Sequence, residues 1–177
     1  MFEDEEEAAE RQQAMPHSKR IGREVAMQYL FRCEMRHESP DAATFGPFFD
    51  EIKEAHDLKE NRLGRKTREY AEKLYLLVAL HNDEIDAAIR DRTQHWELDR
   101  ISHVDHNIMR IAVAEMLYME DVPPVVSIDE AVEIARDYSG VEAGNFINGV
   151  LNGIKDTLKR DPRAVGKESK EGGRTEE

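Results

Sequence analysis

The chain reads as an all-helical protein, and three observations predict it. Apolar residues recur at three- and four-residue steps, as in Leu63, Tyr70, Leu74, Leu77, Val78, Ile85 and Ile89, the repeat that lays an apolar stripe along one face of a helix. Glycine and proline are sparse, 10 and 6 in 177 residues, and no region alternates as a series of short strands would. Helix-capping residues stand in front of several of the apolar runs.

Residues 1–16 are polar and charged and close at Pro16, which reads as a disordered arm. A first helix is expected from His17 to about His37, with Ser18 as its N-cap. The stretch SPDAATFGPFFDEIKEAHD reads as a loop followed by a short helix. The stripe from Leu63 to Ile89 predicts a long helix with a break near Asn82 and Asp83. Trp96 to Ile101 is a connection. Ser102-x-x-Asp105 then has the form of an acidic capping box, opening a helix that runs to about Met119. Ile108, Met109, Ile111, Ala112, Val113, Ala114, Met116 and Leu117 cover nearly every side of it, so it is expected at the centre of a bundle. Asp121-Val122-Pro123-Pro124 ends it, and Ser127-x-x-Glu130 reads as the capping box of the next helix, which stops at Gly140. The last helix is expected from Glu142 or Asn145 to about Arg160, with Gly149 and Gly153 on one face as packing positions. The tail from Asp161 has the character of the arm.

The net charge of −13 is unusual for a protein that binds nucleic acid. Its distribution is uneven. Residues 1–10 carry six acids and no base, whereas residues 11–36 carry six bases against Glu24 and Glu34, a net of +4. A basic patch therefore fits inside an acidic chain. The single cysteine, Cys33, permits no intrachain disulfide. No window has the apolar length of a membrane span, and the acidic N-terminus lacks the form of a signal peptide, so a cytoplasmic protein is expected.

Lys19, Arg20 and Arg23 share one helix face at the expected start of the first helix. Cations there oppose the helix dipole, but together with the helix N-terminus they would attract a phosphate. Two readings stand: a phosphate-binding cluster, or an ordinary solvated face. Tyr29, Phe31 and Phe146 are either stacking platforms for single-stranded RNA or core residues. His95, His103 and His106 lack the further ligands of a zinc set and read as surface histidines. Arg110 and Glu115 interrupt the buried helix and read as a structural ion-pair network. No nucleophile constellation, phosphate loop or dinucleotide fingerprint accompanies them, so no enzyme, cofactor or metal is expected.

The order of these features resembles a known family. SKRIGREVAMQYLFRCE is similar to the arginine-rich first helix of NusB proteins. LDRISHVDHNIMRIAVAEMLYMEDVPPVVSIDEAVEIARDYSGVEAGNFINGVLNGI resembles the family's C-terminal signature throughout, and the resemblance spans roughly residues 17–158. It implies a seven-helix NusB-like fold of two stacked helical bundles. On that reading a domain at 17–160, with bundles at 17–92 and 97–160, lies between the arm (1–16) and the tail (161–177). It also implies transcription antitermination through the boxA element of nascent ribosomal RNA. The partners would be the ribosomal protein NusE and the RNA polymerase antitermination complex, and the chain would be a monomer or a homodimer.

By this resemblance Lys19, Arg20 and Arg23 fall on RNA-contacting arginine positions, Phe146 falls on an aromatic of the RNA site, and Asp105 falls on an acidic position facing NusE. Reversing the charge of Lys19, Arg20 and Arg23 together is expected to abolish boxA binding and spare the fold. Two departures stand out: Ile21 replaces a further arginine, and the loop from Gly140 to Phe146 is one residue shorter. A protein-binding helical adaptor is the alternative. A relative of the NusB-like domains of ribosomal RNA cytosine methyltransferases ranks below both, because such an enzyme needs catalytic cysteines that a chain with one Cys does not supply.

Overall fold

The structure is a computed structural model, and it describes residues 2–94 and 101–159, with residues 2–16 as backbone only. His95, Trp96 and the tail from Asp161 lie outside the described residues. Seven helices make up the described chain: α1 (Phe2–Arg36), α2 (Ala42–Ile52), α3 (Arg62–Leu80), α4 (Asn82–Arg92), α5 (His103–Tyr118), α6 (Pro124–Ser139) and α7 (Val141–Lys155). No strand occurs among the described residues.

Most boundaries follow from local chemistry. Asp41 accepts a hydrogen bond from the Ala43 N–H at 2.6 Å and opens α2. Asn61 does the same for α3 through the Gly64 N–H at 3.0 Å, and Ser102 for α5 through the Asp105 N–H at 3.1 Å. Each satisfies a helix-end donor that would otherwise lack a partner. The expected break near Asn82 is real: α3 ends at Leu80 and α4 begins at Asn82, with His81 between them.

Two boundaries correct the sequence reading. Helix α1 begins at Phe2, not near His17, so the segment read as a disordered arm is helical backbone from residue 2 to residue 16. Its Glu, Ala, Gln and Met residues are strong helix formers, and acidic residues at a helix start favour its dipole. Helix α6 begins at Pro124, with no side-chain cap. A proline at the first helical position has its φ preset and loses no needed N–H. Ser127 is thus inside the helix, and the expected capping box does not form. The Ser127 hydroxyl is instead buried 3.3 Å from Glu115 Oε2.

Helices α1 and α3 run side by side in the same direction, Gly22 lying against Thr67 and Tyr70 and Tyr29 against Tyr75. Tyr29, Phe45, Phe48 and Tyr75 form the aromatic core between α1, α2 and α3. These two tyrosines are therefore core residues, Tyr29 held further by hydrogen bonds to Thr44 and the Asp41 backbone. Helix α5 packs against α1, α3, α4, α6 and α7. Asn107 to Met109 and Ile111 to Met116 are buried along it, as its apolar coverage predicted. Gly149 faces open space, whereas Gly153 receives the Arg92 side chain, so only one of the two glycines is a packing position. No helix of the described residues is long and apolar enough to cross a membrane.

Candidate nucleic-acid interface

Lys19, Arg20 and Arg23 lie in the middle of α1, not at its start, so no helix N-terminus supports them. Their environments also separate them. Arg23 is 4% exposed. Its Nε and Nη2 donate to the two oxygens of Glu115 at 2.6 and 2.8 Å, and Nη2 also lies 3.3 Å from the Tyr70 hydroxyl. Nη1 reaches Glu130 Oε2 at 3.4 Å. Tyr70 donates to Glu115 at 3.0 Å, so one buried carboxylate gathers groups from α1, α3 and α6 onto α5. Burial opposes the Arg23 charge, but the hydrogen bonds and charge of Glu115 outweigh it and hold the guanidinium above the ordinary arginine range. Burial and the Glu115 charge likewise push the Tyr70 phenol well above its usual value. Arg23 is therefore a structural residue and cannot present a cation to RNA while this pair is intact.

Arg20 is partly exposed and grips Glu130 on α6 with two guanidinium nitrogens, Nε to Oε2 and Nη2 to Oε1, the latter at 2.9 Å. The hydrogen bonds to Glu130 raise its pKa. Its fork is engaged, though its outer edge meets solvent. Lys19 forms no ion pair with a described residue, and its Nζ lies 5.5 Å above the Tyr70 ring. Of the three cations expected on one RNA-facing surface, Lys19 alone keeps an uncommitted charge among the described residues.

Phe146 lies on α7, half-buried and packed against the core, between exposed Asn145 and Asn148. Asp105 sits in the first turn of α5, where its carboxylate accepts a 2.7 Å hydrogen bond from Ser139 at the end of α6. Beside it, Arg110 binds both oxygens of Asp86 at 2.7 and 2.8 Å and also Glu34, and Asn107 donates to Glu34 at 3.0 Å. The network read from Arg110 and Glu115 is thus two separate structural clusters. His103 and His106 each face a carboxylate, Glu34 at 3.1 Å and Asp86 at 3.2 Å. Among the described residues no group of His, Cys, Asp and Glu is arranged to hold a metal.

A second basic element escaped the sequence reading. Residues 59–73 carry Lys59, Arg62, Arg65, Lys66, Arg68 and Lys73 against Glu60, Glu69 and Glu72, a net of +3. An open cavity of about 230 Å³ between α1 and α3 is lined by Ser18, Lys19, Lys66, Glu69, Tyr70 and Lys73.

The NusB family model matches residues 20–156. The chain belongs to the NusB family. Among its NusB relatives, the transcription antitermination protein NusB of Bacillus mycoides (strain KBAB4) is 41% identical over 140 residues, 79% of this chain and 98% of that protein. A crystal structure of antitermination factors NusB and NusE in complex with dsRNA superposes with a TM-score of 0.64 at 29% identity, covering 80% of this chain and 98% of that one. NusB from T. maritima superposes with a TM-score of 0.63 at 32% identity, over 78% and 91% of the two chains. The NusB match reaches from mid-α1 to the end of α7, so it spans Arg20, Arg23, Asp105, Phe146 and the basic face of α3, with Lys19 just ahead of its first residue.

Proposed function

We propose that this chain is a transcription antitermination factor that binds the boxA element of nascent ribosomal RNA together with NusE and acts on RNA polymerase elongation in the cytoplasm. The observation that carries this reading is its match to NusB proteins over nearly their whole length. Its activity is binding, without a chemical step. Lys19 and the outer edge of Arg20 meet RNA phosphates, Phe146 offers an aromatic edge to a base, and Asp105 belongs to the surface that meets NusE. Arg23 serves this site indirectly, by fixing α1 against α5.

One observation favours a second reading. Glu115 and Glu130 neutralise Arg23 and Arg20 in a chain of net charge −13, which suits a helical adaptor that binds protein alone. Titration of a boxA RNA oligonucleotide, with and without NusE and across salt, separates the two. The antitermination reading expects RNA binding that weakens as salt rises and tightens when NusE is present, the mutual effect that linkage requires. Binding to NusE with no RNA affinity at low salt would leave the adaptor.

A further inference from the structure

We propose that the cavity between α1 and α3 is a phosphate-binding site, with Lys19, Lys66 and Lys73 as its cations, that leads an RNA strand from α1 onto α3. The proposal rests on the RNA-binding reading above and adds a surface to it. It starts from a shortage. Arg23 is buried against Glu115 and the fork of Arg20 is engaged by Glu130, so most of the positive charge that RNA needs must come from elsewhere.

Helix geometry supplies it. Gly22 brings α1 close to α3: a Cβ there would lie 3.0 Å from the Tyr70 ring and 3.2 Å from the Thr67 carbonyl oxygen. On α3, Lys66, Tyr70 and Lys73 follow at steps of four and three residues and so share a face. Tyr70 thereby forms the floor of the cavity, and it is a fixed floor, because Glu115 and Arg23 hold its hydroxyl from below. Lys19 reaches over that ring from α1. The face continues one turn towards the start of α3 with exposed Arg62.

Charge completes the case. Three lysines line one concavity with a single carboxylate, Glu69, among its lining. None of the three forms an ion pair with a described residue, whereas Lys53, Arg32, Arg110, Arg136 and Lys155 all do. Grouped like charges repel, and an anion relieves that repulsion. Lysines act as point charges without the planar fork that reads a particular geometry, so the site fits the repeating phosphodiester of any strand and not a chosen base.

The test uses the full chain and two single-stranded RNA oligonucleotides, boxA and a scrambled sequence of equal length. Each single-strand phosphate contact contributes about 0.7 to the log–log salt slope, so Lys66→Gln with Lys73→Gln flattens the slope by about 1.4. That corresponds to a loss of roughly 25-fold at 0.1 M salt that vanishes near 1 M, for both sequences alike. Lys66→Glu with Lys73→Glu loses more. Lys53→Glu, a charge change outside the cavity, leaves the slope unchanged. Thermal melting and NusE affinity stay at wild-type values in the lysine variants. Wild-type RNA binding with an unaltered slope in the double variants overturns this proposal alone, as does a loss of NusE affinity with RNA affinity intact, which would make the cavity a protein-docking surface. A wild type that fails to bind either RNA overturns the antitermination reading as well.

Discussion

At Arg23 a guanidinium sits almost out of reach of water, against carboxylates from two helices and a phenol from a third. An arginine in so acidic a sequence is easily read as one more surface cation, and the helical spacing from Lys19 and Arg20 supports that reading. Spacing fixes which residues share a helix face but not whether solvent or another helix covers it. Here α5 and α6 cover it. Removing one partner of a buried ion pair leaves the other charged and unpaired, at a cost of about 3–5 kcal/mol. Arg23→Ala is expected to lower the free energy of urea unfolding by that amount, whereas Lys19→Ala changes it by less than about 0.5 kcal/mol. Equal effects from the two would contradict the burial of Arg23. It follows that reversing Lys19, Arg20 and Arg23 together does not spare the fold, since a carboxylate at position 23 would be buried against Glu115.

At the scale of the helices, the C-terminal half was the more legible. Ser102, Gly140 and the all-round apolar coverage of α5 act locally, and each did what its chemistry predicts. Ser127 misled because a serine followed by glutamate three residues on caps a helix only when the helix starts there, and Pro124 had already started it. Gly140 is the one-residue joint between α6 and α7, with φ of 102° and ψ of 176°. A side chain strains such a backbone although nothing crowds the site. Gly140→Ala is therefore expected to cost about 1–3 kcal/mol, read as a lower thermal midpoint. An unchanged midpoint would mean that the joint adopts another conformation.

For the whole molecule, α5 ties the helices together through polar clusters as well as apolar packing. One links α4 to α5 and α1 through Asp86, Arg110 and Glu34. Burial penalises the Asp86 carboxylate, but hydrogen bonds and charge from Arg110 and His106 prevail and hold it below its ordinary value of 3.8. The unfolded chain then takes up this proton before the folded one does. The stability that Asp86 contributes is complete above about pH 3.8 and is lost as pH falls through the folded value. Asp86→Asn should be less stable than the wild type at neutral pH, with the difference narrowing as pH drops below 3.8. Chemical unfolding of both proteins across this range checks it, and a constant difference would remove Asp86 as the cause.

The sequence by itself determined the helical class, most of the caps, the buried centre at α5 and the resemblance to NusB proteins, because these depend on local periodicity and ordered motifs. Only the tertiary structure decided which charges are free. Whether a cation faces water or a carboxylate depends on residues far along the chain: Glu115 lies 92 positions from Arg23, and Glu130 lies 110 from Arg20. The same folding set Lys66 and Lys73 beside Lys19, across a helix contact that Gly22 keeps close. Charge summed along a chain does not report this. The surface where an acidic protein can meet an anion is set by which of its bases remain unpaired after packing.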